Sequence, residues 1–252
     1  MSLHPSPWIS VVIPIKDERD NIPLLAGQLL KFFESRPESE SASFELVFVD
    51  DGSSDGSGTL LDQLAVQSAA IRVLHLDRNH GQTAAFDAGF RQAAGELIAT
   101  MDGDLQYDPI DFSKLLPLID RYDLVCGKRQ ARHDNVVRRW SSTIANRVRN
   151  WVVHDGITDT GCSLKVFKKA VVERLPPFKN MHRFFPALAQ MYGFRVTEVP
   201  VQHFPRAHGV SKYGVSNRLF AGLYDLCAVR WMQKRCLNYT MKEFRPPGPS
   251  DQ

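Results

Sequence analysis

The sequence predicts an α/β fold: a mostly parallel central sheet flanked by helices, with a C-terminal helical extension. Short apolar runs alternate with amphipathic or Ala-rich segments four times, ending with the run at Leu97. The connections between them are short, as in parallel sheets covered on both faces. The apolar runs are also followed by polar clusters: Pro14 to Glu18, Asp50 and Asp51, Asn79 to Gln82, and Asp102 to Gln106. Ligands of such sheets bind outside the carboxyl ends of the strands, so the four clusters converge on one edge.

In order, Trp8 to Ile15 reads as a strand, and Asp20 or Asn21 as the cap of a helix with Ile22, Leu25, Leu29, Phe32 and Phe33 on one face. A polar loop from Ser35 leads to the strand Phe44 to Val49, which runs into DDGSSDGS. A helix from Thr59 to about Gln67, a strand Ile71 to Leu76, and an Ala-rich helix between glycines follow. After the strand at Leu97 come a helix over Asp111 to Asp120 and a strand Leu124 to Cys126. A helix over Val136 to Val153 is expected to turn Val137, Ile144, Val148, Trp151 and Val152 inward and Arg138, Arg139, Arg147 and Arg149 elsewhere. DTGCSLKVFKKAV reads as turn, strand and helix, HRFFPALAQMYG as a helix, and Phe194 to Pro200 as a strand. Arg218 to Leu237 is amphipathic, either a core-facing helix or an interfacial one whose Arg218, Arg230, Lys234 and Arg235 meet lipid headgroups.

The chemistry centres on LIATMDGDLQYDP. Asp102, Asp104 and Gln106 fall at every second position, so on an extended chain they point the same way. Two carboxylates and an amide oxygen suit a hard divalent cation, Mg2+ or Mn2+, that keeps positions open for phosphate oxygens. An isolated DxD is more often a solvated loop, but here three other polar clusters share its edge. GxGxxG and GxxxxGK[ST] are both missing, which argues against a dinucleotide fold and a P-loop.

A chain of 252 residues suits one large domain with a helical annex. The net charge of +3 gives no argument for a nucleic-acid partner. Acidic residues gather in the first half, while basic ones crowd from Lys128 to Arg149 and from Arg195 to Lys242. Cys126, Cys162, Cys227 and Cys236 have no metal-site spacing and read as reduced core thiols. His80, His182 and His208 read as surface or loop contacts. No apolar run approaches the roughly 20 residues of a membrane span, and no signal peptide is read at the N-terminus.

The segments SVVIPIKDERDNI, LVFVDDGSSDGS, NHGQTAAFDAG, MDGDLQYDP, DTGCSLKVF and RAHGVSKYG resemble, in this order, the family 2 glycosyltransferases, and more narrowly their polyprenyl-phosphate branch, like dolichol-phosphate mannose synthase. The resemblance covers roughly Ile9 to Leu237. It implies the GT-A nucleotide-diphospho-sugar transferase fold over 1–215 and a helical segment at 216–245 packed on it or on a membrane; the tail at 246–252, polar and Pro-rich, reads as disordered.

It further implies an inverting, metal-dependent transfer of one sugar from a nucleoside diphosphate sugar to a polyprenyl phosphate. Pro14, Lys16, Glu18, Asp50, Asp51 and Asp102 match the nucleotide-holding positions, although the family commonly has an aromatic residue where Lys16 stands. Asp102, Asp104 and Gln106 match the metal site. Asp104 and Arg129 match positions at the reacting group, and Arg129, Arg138, Arg139, Ser142, Arg206 and Lys212 the basic positions that grip the acceptor phosphate. A phosphate monoester needs no general base; a hydroxyl acceptor on a glycan, glycolipid or protein needs one, for which Asp155 and Asp159 are the candidates. A non-catalytic subunit holding nucleotide sugar or lipid is the third reading. A lipid acceptor places the protein at the cytoplasmic face of a membrane, bound peripherally or through a membrane-anchored partner.

Overall fold

The structure is a computed structural model and describes residues 7–36, 44–130, 148–206 and 216–239. Arg138, Arg139, Ser142, His208, Lys212 and the tail from Pro246 lie outside them. A seven-stranded sheet in the order β3-β2-β1-β4-β6-β5-β7 forms the centre. β1 (Ile9–Ile15) pairs in parallel with β2 (Phe44–Asp50) and β4 (Leu97–Thr100), and β3 (Ile71–His75) extends the sheet from β2. β6 (Lys165–Lys168) is antiparallel to both β4 and β5 (Leu124–Arg129), and β7 (Val196–Val201) runs parallel to β5. Only β6 is reversed, so the mostly parallel sheet stands.

β1 is apolar at nearly every position because it is covered on both sides. Ile9, Val11, Ile13 and Ile15 belong to one core with α1 (Ile22–Glu34) and α2 (Ser57–Gln67), where Phe33 packs edge-on to Phe32 and stacks on Phe44. Val12 faces the opposite core, with Phe86 and Phe90 of α3 (Gln82–Gln92) and Phe185 of α7 (Phe185–Met191). The approach of α3 to β1 is close enough to require glycine: a Cβ on Gly89 would lie 2.2 Å from Val12 Cγ1.

Several local expectations change. Asn21 stands at the N-cap of α1 but makes no capping bond; its Nδ2 donates instead to Glu18 Oε2 at 2.6 Å. The helix expected over Asp111 to Asp120 is broken into a 3-10 turn (Pro109–Asp111), a single α turn, α4 (Phe112–Leu115), and a second 3-10 turn (Leu116–Leu118). Pro117 lacks the N–H that a continuous helix needs. Of the helix expected to end at Val153, residues 148–153 are described and helical, as α5. Its faces follow the expectation only in part: Val152 packs against the core, but Val148 and Trp151 are exposed, Trp151 by 77%, and Arg149 is buried. The Arg149 guanidinium turns inward because Thr160 Oγ1, the Ile157 carbonyl and Asp155 accept its hydrogen bonds there.

β6 leads into α6 (Lys169–Val172). In α8 (Ser216–Arg235), Leu226 and Val229 are buried against the α7 side of the sheet, while Leu223, Tyr224 and Trp231 are exposed, so the apolar stripe covers only a narrow strip of core. Cys126 and Cys162 are buried as expected; Cys227 is exposed and Cys236 half-buried, because they lie on the parts of this last segment away from the core. All four thiols are free. Among the described residues no helix is long and apolar enough to cross a membrane.

Candidate functional site

The carboxyl ends of β1, β2 and β4 open on a cleft of about 170 Å³. Pro14, Lys16 and Glu18 line it from β1, Asp51 from β2, Asp102 and Asp104 from the chain after β4, with Gln82 and Arg206 completing the wall. Three of the four sequence clusters thus contribute directly, and the fourth through Gln82.

The turn after β2 is held by its own aspartates. Asp51 Oδ1 and Oδ2 accept from the His80 and Gly81 backbone N–H groups at 2.7 and 2.9 Å, which ties β2 to the start of α3. Asp50 accepts from the Ser53 N–H at 2.9 Å and faces His75 Nδ1 at 3.1 Å, away from the cleft lining. Asp51, and not Asp50, therefore borders the cleft. Gly52 makes the turn at φ +66°, where a Cβ would lie 2.5 Å from the Arg78 backbone. Lys16 Nζ donates to the Gly52 carbonyl at 2.7 Å, so this lysine braces the turn that an aromatic residue at its position would leave open.

The acidic stretch is not extended. β4 stops at Thr100, and Leu105 takes the left-handed region at φ +59°, so the expected alternation of side chains breaks between Asp104 and Gln106. Asp102 and Asp104 stay in the cleft. Gln106 turns away: its Nε2 donates to the Phe204 carbonyl at 3.2 Å and its own carbonyl accepts from the Phe204 N–H at 2.9 Å. Asp102 is held by the Ser163 hydroxyl, which accepts its N–H at 3.1 Å, and by Gln82, whose Nε2 donates to Oδ1 at 2.7 Å. Burial, then the charge of Asp104, raises the Asp102 pKa to about 6, while Ser163, Lys165 and Arg129 pull it down. Asp104 is 5% exposed and accepts from Arg206 Nη2 at 2.8 Å.

A divalent cation fits this donor set. Among the described residues no group of three or more His, Cys, Asp or Glu side chains forms a closed metal site. Two carboxylates that leave the remaining positions to phosphate oxygens and water are the arrangement that Mg2+ and Mn2+ favour.

Arg129, at the end of β5, lies outside the cleft lining. Its Nε and Nη2 each donate to Asp159 at 2.7 Å, a fork that satisfies both carboxylate oxygens. Burial works against the Arg129 charge, but the Asp159 bonds outweigh it and raise the pKa. Asp155 faces Arg149 Nη2 at 3.3 Å, and its pKa is raised by burial despite that partner. Both candidate bases are thus committed to arginines. Sequence reasoning did not single out Gln82, Ser163 and Lys165. Gln82 lay within a recognised cluster, and Ser163 and Lys165 within a recognised motif; only the pairing of β6 with β4 reveals that the latter two adjoin Asp102. Lys165 is 2% exposed and donates to the Cys162 carbonyl.

The structure resembles a mannosyltransferase from Pyrobaculum calidifontis in complex with GDP-Man and Mn2+, with TM-score 0.62 and 18% identity over 94% of this chain and 66% of that one. It also resembles glucosyl-3-phosphoglycerate synthase from Mycobacterium tuberculosis in complex with Mn2+, UDP and phosphoglyceric acid, with TM-score 0.65 and 16% identity over 90% and 78% of the two chains. These likenesses identify the fold as GT-A. In sequence, the chain is 37% identical over 228 residues to undecaprenyl-phosphate 4-deoxy-4-formamido-L-arabinose transferase of Pseudomonas savastanoi pv. phaseolicola, covering 90% of this chain and 66% of the relative. It is 37% identical over 234 residues to dodecaprenyl-phosphate galacturonate synthase of Rhizobium johnstonii, covering 90% and 67%. The chain spans about two thirds of the length of these relatives. Residues 10–175 match the model of glycosyl transferase family 2, and the chain belongs to that family.

Proposed function

We propose that the protein transfers one sugar from a nucleoside diphosphate donor to a polyprenyl phosphate, with inversion at the anomeric carbon. The observation that carries this is the placing of Asp102 and Asp104 in one cleft with Lys16, Glu18 and Asp51 at the carboxyl edge of the parallel strands. The base and ribose lie against Pro14, Glu18 and Asp51. The diphosphate lies at Asp102 and Asp104, the two residues that would hold Mg2+ or Mn2+. The bound ion supplies the positive charge that offsets charge building on the leaving diphosphate.

Arg206 bonds to Asp104 at 2.8 Å and is close enough to the diphosphate position to bring a second cation to it or to the acceptor phosphate. An acceptor phosphate oxygen bonds to the anomeric carbon as the bond from that carbon to the diphosphate oxygen breaks, and the electron pair leaves on the diphosphate. No proton needs removing, which agrees with Asp155 and Asp159 both being paired to arginines. A hydroxyl acceptor needs a free carboxylate, and among the described residues neither candidate base is free, which supports the phosphate acceptor. Gln106, turned to Phe204, supports Asp104 through its backbone N–H at 3.3 Å rather than as a ligand.

Asp104→Ala tests this reading. Sugar transfer to a polyprenyl phosphate, and Mn2+-dependent binding of the nucleoside diphosphate, are expected to fall at least a hundredfold, with an unchanged circular dichroism spectrum. Full activity of the variant with Mn2+ present sinks the proposal. The lipid acceptor also implies work at a membrane surface. The exposed Tyr224 and Trp231 of α8, near Lys234 and Arg235, suit a peripheral contact with anionic lipid.

A further inference from the structure

The chain beyond β7 runs back along the acidic stretch, and the two segments meet at successive places. The Gln202 N–H donates to Asp111 Oδ2 at 2.7 Å, and the His203 ring stands edge-on to Tyr107 with centroids 5.4 Å apart. Phe204 and Gln106 close on each other from both sides. The Phe204 N–H donates to the Gln106 carbonyl at 2.9 Å, and Gln106 Nε2 donates to the Phe204 carbonyl at 3.2 Å. Two residues on, Arg206 Nη2 donates to Asp104 Oδ2 at 2.8 Å. As the chain advances from 202 to 206 its partners retreat from 111 to 104, so residues 202–206 form a strap laid antiparallel over the turn that carries Asp104. Tyr107 and Asp111 are buried, which anchors the strap in the core.

The clasp nearest the cleft is Gln106. Its side chain reaches Phe204 because Leu105 takes the left-handed region at φ +59° and breaks the alternation of the stretch. Its backbone N–H lies 3.3 Å from Asp104 Oδ1. Asp104 therefore has one oxygen on Gln106 and the other on Arg206, and the same clasp sets both. Arg206 Nη1 also lies 3.9 Å from Glu18 Oε1, so the guanidinium stands between two carboxylates of the cleft wall.

We propose that Gln106 is a positioning residue of the metal site: it clasps the 202–206 strap, and the strap holds Arg206 on Asp104 as a counter-ion with which a divalent cation competes. The proposal rests on the donor site given above and goes beyond it by giving Gln106 and Arg206 a part in the order of binding. A guanidinium 2.8 Å from Asp104 Oδ2 opposes a second cation there, both by like charge and by occupying the oxygen. A nucleoside diphosphate changes that balance, because its oxygens accept from the guanidinium once Arg206 leaves Asp104. Divalent cation and diphosphate then bind cooperatively, each tightening the other by the same factor.

Mn2+ titrated into the purified chain, with the free ion followed by electron paramagnetic resonance, reads the competition without catalysis. Arg206→Gln is expected to tighten the binding of Mn2+ alone about tenfold. Arg206→Lys keeps the cation and is expected to bind Mn2+ as weakly as the wild type. Gln106→Met keeps the length of the side chain and removes the clasp; it is expected to tighten Mn2+ binding in the same direction by a smaller factor. A merely structural role for Gln106 predicts no tighter binding of an ion. With UDP or GDP present at saturation, the gain in Mn2+ affinity that the diphosphate brings is expected to shrink about tenfold in Arg206→Gln.

Weaker Mn2+ binding in Gln106→Met makes that residue a metal ligand and overturns the proposal with the donor site intact. Unchanged Mn2+ affinity in Gln106→Met or Arg206→Gln overturns it as well, and so does a diphosphate effect in Arg206→Gln as large as that in the wild type. Absence of Mn2+-dependent binding of either diphosphate to the wild-type chain overturns the donor reading and this proposal with it.

Discussion

At the residue scale, His182 shows how position rewrites the chemistry of a side chain. A histidine among basic neighbours reads as a surface contact, yet this one forms part of a cavity wall. Burial, then the charges of Arg183 and Lys165, lowers its pKa to about 3. The unfolded chain takes up a proton near pH 6.5 that the folded chain refuses, so stability falls as pH drops from about 6.5 towards 3. His182→Gln is expected to flatten that part of the stability curve, as read from urea midpoints at pH 7 and pH 4.5; an unchanged slope contradicts a ring kept neutral by the fold. Arg149 and Trp151 make the same point from the opposite side. Helical periodicity correctly predicts a helix there, but its inner face is set by partners at Asp155, Ile157 and Thr160, which hydrophobicity does not weigh.

At the element scale, α3 joins fold to site. It begins at the cleft with Gln82 and crosses β1 at Gly89, where a Cβ would meet Val12 Cγ1 at 2.2 Å and Val49 Cγ2 at 3.2 Å. Alanine is the better helix former by about 1 kcal/mol. Overpacking in a filled core costs about 1–3 kcal/mol, so Gly89→Ala is expected to lower stability. Val12→Ala in the same chain is expected to recover part of the loss, as measured by urea unfolding of the single and double variants. Non-additivity of this kind marks direct contact; purely additive losses place the clash elsewhere. The glycine-bounded Ala-rich segment made α3 legible in the sequence. The need for Gly89 was not, because it depends on the distance to a strand far away in the chain.

At the scale of the whole molecule, one edge of the sheet carries the acidic cleft proposed above for nucleotide and metal, and α8 leaves Tyr224 and Trp231 exposed. If the proposed lipid acceptor is right, the chain is expected to sediment with vesicles containing anionic lipid, and Trp231→Ala with Tyr224→Ala to reduce that binding about tenfold. Equal sedimentation of the double variant rules these two side chains out as the contact. The sequence by itself determined the alternating strands and helices, the clustering of Pro14, Lys16, Glu18, Asp51 and the Asp102 and Asp104 pair at one edge, and the family. Those properties are written in patterns only a few residues long, in the periodicity of apolar side chains and in the turn residues that end each run.

Tertiary structure alone decided the rest. It reversed β6 and set it between β4 and β5, which brings Ser163 and Lys165 to Asp102. It closed Arg129 on Asp159, turned Gln106 towards Phe204, and laid Arg206 on Asp104 across 102 positions of chain. These are pairings between distant segments, and their energies depend on which surfaces meet once the core has formed, so no short stretch of sequence contains them.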